Sequence, residues 1–190
     1  MNVIKTALDG VVLIEPTLFG DARGYFFESW NYEKYKQAGI DCDFVQDNES
    51  CSSYGVLRGL HYQLAPYTQA KLVRVIEGRV LDISLDIRKG SPTFGKYVAV
   101  ELSGENKRQL FVPRGFAHGF VVLSERALFT YKCDNTYSPA HERGIAFNDP
   151  ALAIDWKLPA DSLLLSAKDR LHPPLAEAEL FDFFDQTFAQ

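Results

Sequence analysis

The heptapeptide Leu81-Asp82-Ile83-Ser84-Leu85-Asp86-Ile87 alternates strictly between aliphatic and polar side chains. Successive strand side chains point to opposite faces, so the pattern describes a half-buried β-strand and excludes an amphipathic helix. Comparable short runs follow over Tyr97 to Leu102, Phe111-Val112, Phe120 to Leu123 and Ala127 to Cys133. Turn-forming stretches separate them: Arg88-Lys89-Gly90-Ser91-Pro92, Ser103-Gly104-Glu105-Asn106 and Pro113-Arg114-Gly115. Many short strands at this spacing predict an all-β sandwich or barrel. Helix is expected only at the periphery, capped by Asn31, running through Lys36 and ended by Gly39, with a second over Leu175 to Phe184.

With 190 residues, 46% of them hydrophobic, one domain over 1–190 is expected, its core strands spanning about Val11 to about Phe147 and the C-terminal segment packing back onto them. The formal charge of −5 and the lack of a Lys/Arg run argue against a nucleic-acid partner. Cys42, Cys51 and Cys133 are odd in number and lack Cys-x-x-Cys spacing, so neither a disulfide framework nor a zinc knuckle is suggested. Met1 to Gly10 lacks the long apolar stretch of a secretory signal, and no apolar run reaches the roughly 20 residues that span a bilayer. These features predict a soluble, cytoplasmic protein without a membrane partner.

Two segments carry the chemistry: Gly55 to Gln63, followed by Lys71 and Gly78, and Pro113-Arg114-Gly115-Phe116-Ala117-His118. Their frame resembles that of a cupin jelly roll, in which paired His, a Glu and a later His usually hold a metal. Five residues separate Gly55 from His61 and six separate Lys71 from Gly78, so Gln63 stands at the second His position and Lys71 at that of the acidic ligand. An ammonium repels a divalent cation, and His61 and His118 alone are a poor set for zinc or iron. No metal is expected. A metal-dependent cupin enzyme would need ligands where Gln63 and Lys71 stand, and a non-catalytic sugar-binding sandwich would not need His, Lys, Tyr and Asp together.

A lysine at a strand start is ordinarily a surface residue, but Lys71 shares a strand face with Val73 and Val75, which points it inward. There it can stabilise an enolate oxyanion in place of a Lewis acid. An imidazole, with an ordinary pKa of about 6.5, can take and return a proton at neutral pH, the property required of His61. Arg58 has the opposite parity from His61 and reaches the same pocket only through a bulge, for which Gly59 is suited.

The strings Phe44-Val45-Gln46-Asp47-Asn48, Arg58-Gly59-Leu60-His61-Tyr62-Gln63 and Pro113 to Phe120 resemble the dTDP-4-dehydrorhamnose 3,5-epimerase family. The likeness extends from Glu15-Pro16-Thr17-Leu18-Phe19 and Arg23-Gly24-Tyr25-Phe26-Phe27-Glu28 to Leu165-Ser166-Ala167-Lys168-Asp169. It implies inversion of carbons 3 and 5 of dTDP-4-dehydro-6-deoxy-D-glucose, without metal or organic cofactor, on the route to dTDP-L-rhamnose. Relatives that epimerise a single carbon share nearly all these motifs.

By the same resemblance His61 is the base, Asp169 its partner, and Tyr131 the group on the opposite face of the sugar. On the residues alone, Tyr131 reads first as a core tyrosine and Asp169 as a solvated loop residue. Arg23 and Arg58 are expected at the diphosphate, where a guanidinium fork suits phosphate oxygens. Phe19, Phe26, Glu28, Gln46, Asn48, His118, Tyr137, Glu142 and Lys168 are expected around thymidine and sugar, with Asp82 behind the catalytic groups. The stretch Asp134-Asn135-Thr136-Tyr137 departs from the family, which often has two adjacent aromatics before Ser-Pro, but Tyr137 is kept. Family members are homodimers whose N-terminal strands join the neighbour's sheet, which places Val11 to Glu15 at an interface.

Overall fold

The computed structural model describes residues 1–183. Its strands in chain order are β1 (Asn2–Lys5), β2 (Val12–Glu15), β3 (Phe19–Asp21), β4 (Gly24–Phe26), β5 (Gln46–Ser53), β6 (Leu57–Gln63), β7 (Lys71–Glu77) and β8 (Arg79–Asp86). They continue with β9 (Arg88–Lys89), β10 (Tyr97–Ser103), β11 (Gln109–Val112), β12 (Phe116–Val122), β13 (Arg126–Cys133), β14 (Glu142–Gly144) and β15 (Phe181–Asp182). Two antiparallel sheets, ordered β1-β2-β11-β7-β13-β5 and β10-β8-β12-β6-β14, make the jelly-roll sandwich that the alternation predicts.

Between the sheets lie Val73, Val75, Leu110, Val112 and Phe129 from one side and Val80, Leu102, Phe116, Phe120 and Val122 from the other. Full burial of each such side chain is worth about 1.5–3 kcal/mol. The β8 segment departs from the half-buried strand expected, because Val80 to Asp86 are all buried. Leu81, Ile83 and Leu85 face outward, yet Leu152, Trp156, Leu163, Leu175 and Phe181 cover them. The polar face, Asp82 and Ser84, therefore looks into the sandwich instead of into water.

On the outside of the first sheet, Leu72 and Phe111 pack against Tyr35 and Ile40. Tyr35 belongs to α1 (Tyr32–Gln37), which is capped by Asn31 accepting from the Lys34 amide. Gly39 follows at φ 89°, a left-handed conformation that suits glycine and ends the helix. The expected helix over Leu175 to Phe184 does not form. Leu175–Glu177 is a single 3-10 turn after Pro174, Ala178 is extended, and Phe181–Asp182 pairs in parallel with β9. Burial of Leu175, Ala178 and Phe181 against the second sheet overrides local helix propensity; Phe184 lies outside the described residues.

Hydrogen bonding on both sides, to β1 and to β11, makes β2 an interior strand, with Val11 and Ile14 fully buried. The free edges of this sheet are β1 and β5. Among the described residues no helix is long and apolar enough to cross a membrane.

Candidate active site

The two sheets open at one end into a cavity of about 630 Å³. His61 on β6 and His118 on β12 reach it from one sheet, Lys71 on β7 and Tyr131 on β13 from the other. Asn48, Arg58, Lys168 and Asp169 are among its other charged and polar lining residues.

Arg58 reaches the same cavity as His61 through the irregularity its parity demands. His118 pairs with His61 but Phe120 pairs with Arg58, so β6 carries one residue more than β12 between the two pairs. Gly59 sits in this bulge at φ 136°, and a Cβ there would lie 2.5 Å from the Gly119 Cα. Arg58 is steadied by Nε donating to Ser52 Oγ at 3.1 Å.

His61 Nε2 lies 2.7 Å from Asp169 Oδ1, and the Asp169 side chain is only 5% exposed. Burial would raise the Asp169 pKa, but the hydrogen bond and charge of His61 and the Ser166 hydroxyl hold it below the usual carboxylate range. An ionised Asp169 orients the ring with its proton on Nε2, leaving Nδ1 as the basic nitrogen. Both oxygens of fully buried Asp82 lie 2.9 Å from His118 Nε2. Burial raises the Asp82 pKa against the opposing influence of His118 and Lys71. Asp82 is behind the cavity wall, not on it.

Burial lowers the Lys71 pKa, while Cys133, Asp82 and Glu142 oppose the shift. Its Nζ stands 6.0 Å from the centre of the Tyr131 ring. Burial, followed by the Cys133 charge, raises the Tyr131 phenol, which stays protonated at neutral pH. Cys133, opposite Lys71 in the β7–β13 register, is pushed up to about 11 by burial and receives the Asn48 amide at 3.8 Å.

A polar chain forms one rim. Tyr137 Oη donates to Glu142 Oε2 at 2.6 Å, the Lys168 ammonium pairs with the same carboxylate, and the Tyr137 amide donates to Gln46 Oε1 at 2.9 Å. The bond to Glu142 pushes the Tyr137 phenol up to about 12. Burial would raise Glu142, but its bonds to Lys168 and Tyr137 hold it low. Gln46 continues the chain by donating to Asn48 Oδ1 at 3.1 Å. Gln63, at the cupin frame's second His position, is buried and pins the loop before Tyr137: its amide donates to Tyr67 O and Thr136 O and accepts from the Ser138 amide.

Four expected site residues lie elsewhere. Phe19 and Phe26, 63% and 68% exposed, face solvent on the β3–β4 hairpin, and Arg23 at its tip pairs with Asp21 of the same hairpin. Glu28 pairs with Lys34 and Asn31 at the α1 N-terminus. The sequence reading missed His172, whose ring meets His61 edge-on at 5.4 Å and 89°. No periodicity signals it, since it follows a 3-10 turn (Asp169–Leu171) in an irregular segment.

His61, Asp169 and His172 each present one ligand atom within 4.8 Å of one another, the set nearest to a metal site among the described residues. The bond between His61 and Asp169 already engages one nitrogen and one oxygen of that set, and the acidic-ligand position of the cupin frame holds Lys71.

A sequence model of the dTDP-4-dehydrorhamnose 3,5-epimerase family matches residues 5–177. The dTDP-4-dehydrorhamnose 3,5-epimerase of Shigella flexneri is 54% identical over 182 residues, 95% of this chain and 99% of the relative. The crystal structure of the enzyme of that name from Elizabethkingia anophelis superimposes with a TM-score of 0.90 at 54% identity, covering 93% and 97% of the two chains. The dTDP-6-deoxy-D-glucose-3,5-epimerase of Legionella pneumophila, solved with dTDP-4-keto-L-rhamnose, gives 0.92 at 50% identity over 96% and 98%. The strand pattern, the cavity between the sheets and the near full-length matches lead to one assignment: the chain belongs to the dTDP-4-dehydrorhamnose 3,5-epimerase family.

Proposed function

We propose that the protein epimerises carbons 3 and 5 of dTDP-4-dehydro-6-deoxy-D-glucose, giving dTDP-4-dehydro-L-rhamnose, with His61 as base and Tyr131 as the opposing proton donor. The supporting observation is that His61 and Tyr131 enter one cavity from opposite sheets. Inversion requires a proton to leave one face of a carbon and return to the other, and groups on facing walls meet that requirement.

Both carbons are α to the C4 ketone, so each abstraction by His61 leaves an enolate at that ketone. Lys71, on the same wall as Tyr131, supplies a fixed cation to the enolate oxygen. Asp169 steadies the imidazolium that forms. Protonation by Tyr131 then completes the inversion, and the pair is reset through solvent. This sequence calls on no metal or organic cofactor, because Lys71 does the work of a Lewis acid.

The nucleotide lies toward the rim, with Arg58 and Lys168 facing the diphosphate and Tyr137 the base. Phe19, Arg23 and Phe26 line no part of the cavity of their own chain, so a nucleotide-binding role for them requires a second copy. A homodimer in which the β3–β4 hairpin reaches the neighbour's rim meets that requirement. The expected setting is the cytoplasm, without nucleic-acid partners.

Incubation with dTDP-4-dehydro-6-deoxy-D-glucose in heavy water, followed by NMR, tests the reaction. Deuterium at carbons 3 and 5 with both inverted is the expected result. Exchange at carbon 3 or carbon 5 alone would assign a single-carbon epimerase, and no exchange would refute the reading. Light scattering showing only monomer would refute the dimer.

A further inference from the structure

We infer that His172 is a positioning residue that holds the His61 ring against Asp169, seated in a notch that only glycine at position 144 leaves open. In the β6–β14 register Gly144 is the direct partner of His61. A Cβ on Gly144 would fall 2.2, 2.3 and 2.6 Å from Cε1, Nδ1 and Nε2 of His172. Three ring atoms at nearly equal distance mean that the imidazole lies face-on over the glycine. From that seat its ring meets His61 at 89° with centroids 5.4 Å apart, closing the space into which the base could turn.

The chain reinforces this placement. Asp169, the hydrogen-bond partner of His61, opens a 3-10 turn, and His172 ends it. One short segment thus carries both the polar and the packing contact to the base. Its ends are tied down: Asp169 N donates to Ser166 Oγ at 3.1 Å, and Pro173 O accepts from Ala146 N at 2.8 Å. Among the described residues, none hydrogen-bonds the buried Nδ1 of His172.

The charged and titratable groups around His172 are His61, Asp169, Lys168 and Glu142. Burial, then repulsion by a protonated His61 and by Lys168, lowers its pKa against the pull of Asp169 and Glu142. A neutral ring there adds no positive charge beside the base when His61 takes its proton.

The inference rests on His61 being the base, and His61→Asn tests that reading separately: a fully active His61→Asn enzyme would refute the base assignment whatever His172 does. For His172 itself, the full-length His172→Ala and Gly144→Ala variants should keep dTDP affinity and KM. Their kcat should fall by about 10- to 100-fold, the scale of a misplaced catalytic group. Long-range nitrogen–proton NMR of the unliganded variants should show the His61 ring shifting from one tautomer to a mixture. His172→Phe, which keeps a flat ring without nitrogens, should recover part of the lost kcat, and it also serves if His172→Ala does not fold. Unchanged kcat in the folded variants, or a reduced kcat with the His61 tautomer unaltered, would overturn the assignment.

Discussion

Asp169→Asn is the sharpest probe of the dyad, because it removes one charge and almost no volume. The carboxylate is 5% exposed and lies 2.7 Å from His61 Nε2, so the bond is short and shielded from water. A hydrogen bond to a charged group contributes about 1.5–3 kcal/mol. Asp169 exerts its full effect only once His61 is protonated, so the loss appears in the transition state. At about 1.36 kcal/mol per decade, kcat should fall between roughly 10-fold and 150-fold. KM should barely move, since the substrate gains no partner and loses none. A neutral amide can also turn either its oxygen or its NH₂ to the ring, so the imidazole tautomer is no longer selected. The assay is deuterium wash-in from solvent at saturating substrate, with dTDP affinity as the control for the nucleotide site. Wash-in at the parental rate would refute the dyad, and a rise in KM with kcat intact would move Asp169 from proton transfer to substrate binding.

Tyr131→Phe should retain deuterium wash-in while net inversion falls, because His61 and Lys71 still form the enolate but the proton returns to its original face; inversion at the parental rate would remove Tyr131 from the reaction. Lys71→Met should cost about 100-fold or more in kcat. Its folded pKa lies below the unfolded value, so the ammonium destabilises the fold below the folded pKa and the penalty fades as pH rises toward 10.5. Lys71→Met should therefore melt higher than the parent at neutral pH, and a lower melting temperature would contradict this sign. For the same reason the alkaline loss of parental kcat should begin below the range of an ordinary lysine, as read from a pH profile. Arg58→Ala should weaken dTDP binding by roughly 1.5–3 kcal/mol in calorimetry, while unchanged affinity would take it off the diphosphate. Prolonged treatment with a chelator should leave activity intact, and loss restored by one divalent ion would instead assign a metal to His61, Asp169 and His172.

The period-2 run at β8, the turn residues and the Asn31 and Gly39 caps are local signals, each acting through neighbouring residues, and they made the all-β sandwich and α1 legible in the sequence. Spacing within the cupin frame likewise marked His61 and Lys71, because each stands at a fixed distance along the chain from a turn glycine, Gly55 or Gly78. Local pattern could not say that the polar face of β8 looks inward, since alternation is the same whether water or a second sheet covers a face. Nor could it place Asp169 or His172, which lie more than 100 residues from His61 and meet it only when the C-terminal segment folds over β6 and β14. The 3-10 turn and parallel β15 arise for the same reason: burial of Leu175, Ala178 and Phe181 against a distant sheet outweighs the propensity of a short segment. The chain alone carried the strands and the chemistry of single residues, whereas the pairing of His61 with Asp169, the wall facing it and the notch at Gly144 depend on contacts that exist only after the sheets have closed.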